Sequence, residues 1–244
     1  MRTFACAFTL CLCLSAQTPL AFEVASVKPA PPTEYGGPMY YRTPPGGRVS
    51  ISNATLKLLI QNVYRVRDFQ VSGGPSWVAT EGWDIEATPG SNAPSAITPE
   101  QRDEMFKTLF ADRFHLVLHR ETKELPVYDL VVAKGGSKLR PSGDEPGFGM
   151  TDTGSITFKK TTVSTFANVL SGVLGRKVID KTGLQGTFNA DLHWTPDERA
   201  DAQPDDAGPS IFTAIQEQLG LRLESSKGPV EVLVIDRAER PSEN

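Results

Sequence analysis

Residues 47–64, GRVSISNATLKLLIQNVY, change from the pattern of a strand to that of a helix within a few positions. Val49 and Ile51 alternate with polar neighbours, which is the two-residue period of a strand with one buried face. The apolar residues that follow keep the helical spacings of three and four: Leu56, Leu59, Ile60 and Val63. Asn53 or Thr55 is the expected helix N-cap. The stretch therefore predicts a strand that leads directly into an amphipathic helix.

The same pattern returns at residues 154–171, GSITFKKTTVSTFANVLS, 107 positions further along the chain. Thr161 or Thr162 is the expected N-cap of this second helix. Towards the end of the chain the offset shortens to 103, between Pro126 and Pro229. We predict an internal duplication of a unit of about 100 residues, which is a normal domain size. The alternative is a chance similarity between two α+β patterns.

The predicted fold class is α+β, with two tandem homologous units that each pack two helices on a small mixed or antiparallel sheet. Residues 1–21 are predicted to be a signal peptide that ends between residues 16 and 21. Residues 22–140 form the first predicted unit, and residues 141–244 form the second. The second helix of each unit is expected to begin near Thr98 and near Pro209, respectively.

Two pairs of strands are predicted in each unit. The first pair surrounds a glycine-containing turn: Phe69–Val71 with Trp83–Ala87, and Lys177–Ile179 with Thr187–Leu192. The second pair is a hairpin that closes each unit: Phe114–Arg120 with Val127–Ala133, and Leu221–Ser225 with Val230–Asp236.

The amino-terminal segment has the order of a secretory signal peptide. Arg2 precedes an apolar run from Phe4 to Leu14, and the small residues Ser15 and Ala16 follow. The run is too short to span a membrane, and the alternative is a buried amino-terminal helix. All three cysteines lie in this run, so the processed chain is expected to carry no thiol or disulfide. We therefore expect a periplasmic or extracellular protein with no membrane span in the mature chain.

The tetrapeptide Asp180-Lys181-Thr182-Gly183 matches the phosphorylation motif of P-type ATPases. Phosphoryl transfer also needs further aspartates that hold Mg²⁺, in motifs of the Gly-Asp-Gly type that this sequence lacks. Aspartate and glycine are also the residues that a tight turn requires. We therefore interpret Asp180 as a turn residue rather than a nucleophile.

Other chemistry receives little support from the sequence. His115 and His119 are expected on the solvent side of a strand, too far apart to share one metal ion. The common local motifs of hydrolases, zinc proteases and phosphate-binding loops are missing from the sequence. We therefore predict no catalytic residue, cofactor or metal site. If the protein is a hydrolase, His193, Asp191 and Asp84 are the first suspects.

Aromatic residues near predicted loops give the better indication of a binding surface. The candidate surface residues are Tyr40, Tyr41, Trp77, Trp83, His193 and Trp194. The alternative for Trp77 and Trp83 is that they cover the open end of a small core.

Several long stretches are distinctive, among them FEVASVKP at residues 22–29, GGPSWVATEGWDIEA at residues 73–87 and VIDKTGLQGTFNADLHWTPD at residues 178–197. These stretches resemble an uncharacterised exported bacterial family that is abundant in soil bacteria. Some members of that family look fused to, or encoded near, membrane sensor peptidases of the BlaR type, and this resemblance implies an envelope setting only. The resemblance implies a domain of unknown function and supplies no catalytic residue. A looser similarity, at Thr182-Gly183-Leu184, links the chain to the short amino-terminal adaptor domains of secretins and TonB-dependent receptors.

The expected function is that of an exported, non-enzymatic binding or adaptor protein of the cell envelope, with an envelope protein as its partner. Nucleic acid is not an expected partner, because the net charge is −4 and no run of Lys or Arg exceeds two residues. The oligomeric state stays open. The alternatives are an exported hydrolase with an unrecognised site and a soluble ligand-sensing domain that works with a membrane sensor.

Overall fold

The computed structural model describes residues 21–44, 46–90, 97–143, 147–196 and 208–242. Most of the predicted signal peptide, residues 1–20, lies outside the described residues. Within the described ranges the chain forms twelve strands and five α-helices, and the α+β prediction is confirmed. The strands are β1 Phe22–Pro29, β2 Tyr40–Arg42, β3 Val49–Thr55, β4 Val71–Gly73, β5 Gly82–Pro89, β6 Val117–Val132, β7 Arg140–Pro141, β8 Phe148–Asp152, β9 Ser155–Thr161, β10 Val178–Asp180, β11 Phe188–His193 and β12 Leu221–Arg237. The helices are α1 Leu56–Tyr64, α2 Trp77–Thr80, α3 Pro99–Phe114, α4 Val163–Val173 and α5 Ile211–Leu219.

The chain divides into two compact units that are interleaved along the sequence. Unit 1 contains Met1–Leu59, Ser76–Leu116 and Ala238–Asn244, and unit 2 contains Ile60–Pro75 and Val117–Arg237. This division follows contacts in space, whereas the predicted boundary at residues 140 and 141 follows a repeat in the sequence. In the described ranges no helix has both the length and the apolar character needed to cross a bilayer.

Unit 1 is built on an antiparallel sheet with the order β1-β5-β3-β2. Helix α3 packs against β1, where the rings of Phe22 and Phe106 lie 5.2 Å apart edge to face. The predicted start of this helix is confirmed, because the Thr98 side chain accepts from the Gln101 amide and Gln101 reciprocates. The largest fully buried side chains of the unit include those of Phe110 and Phe114.

Unit 2 contains two sheets. The first has the order β10-β6-β12-β4, in which β6 and β12 are antiparallel while β10 and β4 add as short parallel strands at the two edges. The second is antiparallel with the order β7-β11-β9-β8. Helices α4 and α5 contribute to a single apolar cluster that includes Phe166, Leu170, Ile215 and Leu219.

The predicted closing hairpins are wrong. Strands β6 and β12 each run without a reversal and pair with one another from Val117 opposite Arg237 to Val132 opposite Leu221. The Pro/Gly-containing segments that looked like turns lie opposite each other, with Pro126 facing Lys227. A two-stranded hairpin is marginal by itself, whereas the long ladder joins β10 and β4 into a four-stranded sheet.

The predicted first pair of strands is also wrong in its partners. Strand β4 pairs with β12 instead of β5, and β10 pairs with β6 instead of β11. Helix α2 separates β4 from β5 and removes the tight turn that the prediction required. The helix caps were predicted with two candidates each, and the structure selects Thr55 and Thr162.

Candidate binding groove and edge strands

Asp180 ends β10 and its carboxylate holds the following turn. Its Oδ1 accepts hydrogen bonds from the Thr182 amide at 3.0 Å and the Thr182 hydroxyl at 2.8 Å. Its Oδ2 accepts from the Ser164 hydroxyl at 2.9 Å, on the first turn of α4. Because both oxygens bind local donors, the turn interpretation is confirmed.

The histidines do not form a common site. His115 lies outside any strand, contrary to its predicted position, and caps α3 with a left-handed backbone, φ 46°. His119 lies on β6, where its Nδ1 is 2.9 Å from both carboxylate oxygens of Asp236. His193 ends β11 and exchanges two backbone hydrogen bonds with the Gln218 side chain.

The suspected carboxylates are divided between the units. Asp84 lies on β5 of unit 1 and accepts from the Asn53 amide at 2.9 Å, while Asp191 lies exposed on β11 of unit 2. Within the described ranges no three His, Cys, Asp or Glu side chains cluster in a way that could hold a metal ion. The structure therefore brings Asp191 and His193 onto one strand of unit 2 and leaves Asp84 in unit 1.

Trp77 and Trp83 belong to the core of unit 1. Both are buried, with their rings 5.9 Å apart, and the Trp83 ring meets Phe114 edge to face at 5.3 Å. The guanidinium of Arg240 lies 5.4 Å from the Trp77 ring centre and is held by Glu81 through two hydrogen bonds. The alternative core placement is confirmed for these tryptophans, and we remove them from the candidate surface.

Tyr40 and Tyr41 are exposed on the edge strand β2, with 58% and 45% of their surfaces accessible. Tyr40 lines a small pocket of about 280 Å³ together with Arg42, Ser50 and Ser52. No other strand of the described chain pairs with the outer side of β2. This part of the predicted binding surface is therefore open to a partner.

The larger candidate site is a groove of about 750 Å³ in unit 2, which we call the aromatic groove. Tyr128 of β6, Trp194 after β11 and Phe212 of α5 all line it. Phe212 is 43% exposed and meets the Tyr128 ring edge to face at 5.5 Å, while Arg176 covers Tyr128 at 4.7 Å. Tyr128 and Trp194 also pack against the core of unit 2, so the groove has a firm apolar floor.

Strand β8 leads into the aromatic groove. Its last two residues, Thr151 and Asp152, line the groove together with the turn that follows. Strand β8 is the end strand of its sheet, and within the described ranges its outer side has no strand partner. Met150 in this strand is 58% exposed, so its side chain is accessible on the edge strand.

Sequence reasoning identified Trp194 but missed Tyr128, Phe212 and Arg176. Tyr128 alternates on a strand and Phe212 keeps helical spacing to Ile215, so both patterns predict core positions. The groove depends on the meeting of β6, α5 and the end of β11, which are far apart in the sequence. No local motif carries that information.

Comparison with known proteins gives a family and no activity. No curated protein and no solved structure matches the chain. A family model described as "Protein of unknown function (DUF3738)" matches residues 57–238, from within α1 to just beyond β12. The match covers more than half of the chain and agrees with the uncharacterised domain family expected from the sequence. The chain therefore belongs to the DUF3738 family.

Proposed function

We propose that this protein is a non-enzymatic binding module of the bacterial cell envelope that holds an extended segment of a partner protein. The segment adds to the outer side of β8, and one of its apolar side chains enters the aromatic groove. The observation that carries the proposal is that an open edge strand ends in a groove lined by three aromatic rings.

The edge of β8 supplies the general part of the recognition. An edge strand presents unpaired backbone N–H and C=O groups, which an extended segment satisfies by adding a strand. Such pairing depends little on the sequence of the segment, because it uses the backbone. Specificity then comes from pockets that receive alternate side chains.

The aromatic groove supplies the specific part. Trp194 and Phe212 offer large ring surfaces, and Val173 at the same groove is 39% exposed. Burial of an apolar side chain against such surfaces removes water from both partners and stabilises the complex by about 25 cal/mol per Å² of apolar area. Aromatic residues in a pocket are the usual anchors of protein interfaces.

We also infer that the chain arose by the predicted duplication. The sheet order β1-β5-β3-β2 and the order β7-β11-β9-β8 follow the same path. In each of them the equivalent strand, β3 or β9, leads into a helix and then a short strand that pairs in parallel with the long ladder. Asn53 and Lys160, 107 positions apart, both have left-handed backbone at an irregularity of their strand pairing. Strands β2 and β8 are then equivalent edges.

The experiment is site-specific photo-crosslinking in the native envelope. A photoreactive phenylalanine analogue replaces Met150 on β8, and the adducts are identified by mass spectrometry. The matched control carries the analogue at Val24, which is 65% exposed on the edge strand β1 of unit 1. We expect one dominant protein adduct at position 150 and a different pattern at position 24.

The variant Phe212→Ala tests the role of the groove in the same assay. Truncation of an aromatic anchor is expected to weaken binding about ten-fold, so the adduct at position 150 should fall in proportion. The same protein captured equally from positions 24 and 150, or an adduct that Phe212→Ala leaves unchanged, would contradict the proposal. A small molecule that binds at Trp194, with no protein adduct at position 150, would instead favour the ligand-sensing alternative.

A further inference from the structure

The outer face of the unit 1 sheet carries Arg42, which has no carboxylate partner among the residues that the structure describes. On this face Arg42 of β2 pairs with Ser50 of β3, and Ser50 pairs with Glu86 of β5. Glu86 already has partners on this face, because its Oε1 accepts from the Ser50 hydroxyl at 2.5 Å and its Oε2 accepts from Arg48 at 3.0 Å. The Ser50 hydrogen bond, with a further contribution from Arg48, lowers the pKa of Glu86, so this carboxylate stays ionised.

Arg42 itself is exposed on the edge strand. In the described ranges its guanidinium takes part in no hydrogen bond, ion pair or ring contact. Arg48, by contrast, has a carboxylate within reach and forms an ion pair with Glu86 at 3.0 Å. Arg42 is therefore a cation available to a carboxylate that comes from outside.

The pocket beside Arg42 has the composition of an anion site. Its described lining residues are Tyr40, Arg42, Ser50 and Ser52, and none of these four carries a carboxylate. The Ser50 hydroxyl already donates to Glu86, which leaves the Arg42 guanidinium and the hydroxyl groups of Tyr40 and Ser52 as donors for a ligand. A guanidinium binds a carboxylate through two parallel hydrogen bonds, and hydroxyl groups can donate to its remaining lone pairs. The volume of about 280 Å³ is enough for one acidic side chain.

The pocket lies on an edge strand, which limits the form of its ligand. The outer side of β2 offers backbone groups to an added strand, in the same way as β8. We propose that β2 binds an extended peptide segment that carries a Glu or Asp side chain, with the carboxylate held by Arg42. This site belongs to unit 1 and does not depend on the aromatic groove.

A second copy of this chain is a poorer occupant of β2. In an antiparallel pair of two β2 strands, Tyr40-Tyr41-Arg42 would face the same three residues, none of which carries a carboxylate. An acidic segment instead supplies the complementary charge. Charge complementarity of this kind determines which partner is accepted more than it determines total affinity.

The test uses the purified, ¹⁵N-labelled protein and three peptides of the form acetyl-Ser-Val-Thr-X-Thr-Val-Ser-amide, in which X is Glu, Gln or Lys. We expect the Glu peptide to shift the amide signals of Tyr40–Arg42 and Ser50–Ser52 most strongly. Arg42→Gln should lower the affinity for the Glu peptide about two- to five-fold, which is the range for an exposed ion pair. Arg42→Glu should reverse the preference in favour of the Lys peptide.

Two control variants make the result specific. Lys107→Gln removes one positive charge from α3 of the same unit and should leave the affinity unchanged. Phe212→Ala changes the aromatic groove and should also leave it unchanged, so the two proposals fail separately. Equal binding of the three peptides, or Arg42→Glu without effect, would overturn the inference. Broadening of the β2 signals with protein concentration alone would assign this edge to a second copy instead.

Discussion

The pairing of β6 with β12 can be tested by a disulfide between Thr122→Cys and Glu231→Cys. These residues face each other in the antiparallel ladder, and both are exposed. The natural cysteines, Cys6, Cys11 and Cys13, are changed to serine so that only the engineered pair can react. We expect complete oxidation by mild air exposure.

The expected distances separate this ladder clearly from the hairpin that the sequence predicted. Residues opposite each other in an antiparallel pair have Cα atoms about 4.5 to 5.5 Å apart, within the range of a disulfide. The control pair is His119→Cys with Tyr128→Cys, which a hairpin would bring together. In the structure these positions lie nine residues apart on β6, a separation of about 30 Å at about 3.3 Å per residue.

The assay is a thiol count with gel mobility before and after reduction, followed by urea unfolding of both forms. The Thr122/Glu231 disulfide closes a loop of about 110 residues and should stabilise the oxidised protein by about 2–4 kcal/mol. The His119/Tyr128 pair should keep its free thiols in the native monomer. Oxidation of that control pair, with free thiols in the Thr122/Glu231 variant, would refute the ladder and restore the hairpins.

Three further results are expected. Ser171→Ala should lower the free energy of unfolding, measured in urea, by about 1–2 kcal/mol, because the buried Val178 amide of β10 loses its hydrogen-bond acceptor. The higher helix propensity of alanine offsets only part of this loss. Gly175→Ala should lower the free energy of unfolding by about 1 kcal/mol, since this residue has a left-handed backbone but free space for a Cβ. Gly220→Ala should lower it clearly more in the same titration, because its Cβ would collide with the Gly136 carbonyl oxygen. The hydrogen bond from Arg240 lowers the pKa of Glu81, so the pair contributes stability above the ordinary glutamate pKa and loses it as the pH falls through the lowered value. In Arg240→Gln the free energy of unfolding, measured by circular dichroism, should therefore fall less steeply as the pH is lowered.

The four longer helices could be predicted from the sequence because their signals are local, whereas the four-residue helix α2 was missed. The N-cap and first-turn residues of α3 lie within four positions of Thr98, and the apolar stripe of α1 needs only two helical turns. The bulge at Asn53 has no comparable signal, although Asn tolerates a left-handed backbone better than most residues. Local preference therefore explains where helices begin and says little about what each strand meets.

Strand partners could not be predicted in the same way. The Pro-Val steps at Pro126 and Pro229 carry turn-forming residues, and a local interpretation makes each of them the bend of a hairpin. Their true partners lie about a hundred residues away, because the two segments pair with each other as extended strands in one antiparallel ladder. The comparison of the two segments at an offset of 103 indicated a repeat, and a repeat does not indicate that its two copies pair with each other.

The candidate site was predicted in part for the same reason. Trp194 and Tyr40 stood out as aromatic residues near loops, and both line open sites in the structure. Trp77 and Trp83 had the same appearance in the sequence but fill the core of unit 1. Aromatic character alone cannot distinguish a ring that packs in a core from a ring that binds a partner, because a large apolar surface is stabilising in both positions.

If the proposed duplication is correct, the two copies have kept the positions that the backbone requires and have diverged at their edges. Both keep a left-handed residue in the strand before the first helix, at Asn53 and at Lys160. In the edge strands, the pairing register makes Arg42 equivalent to Met150, so a cation in one copy stands where an exposed thioether stands in the other. A single exposed arginine and a single exposed methionine are ordinary surface residues and do not by themselves require a partner. Recognition of a different segment at each edge accounts for the difference between them, and a protein that binds one segment at each edge is able to hold two partners near each other in the envelope.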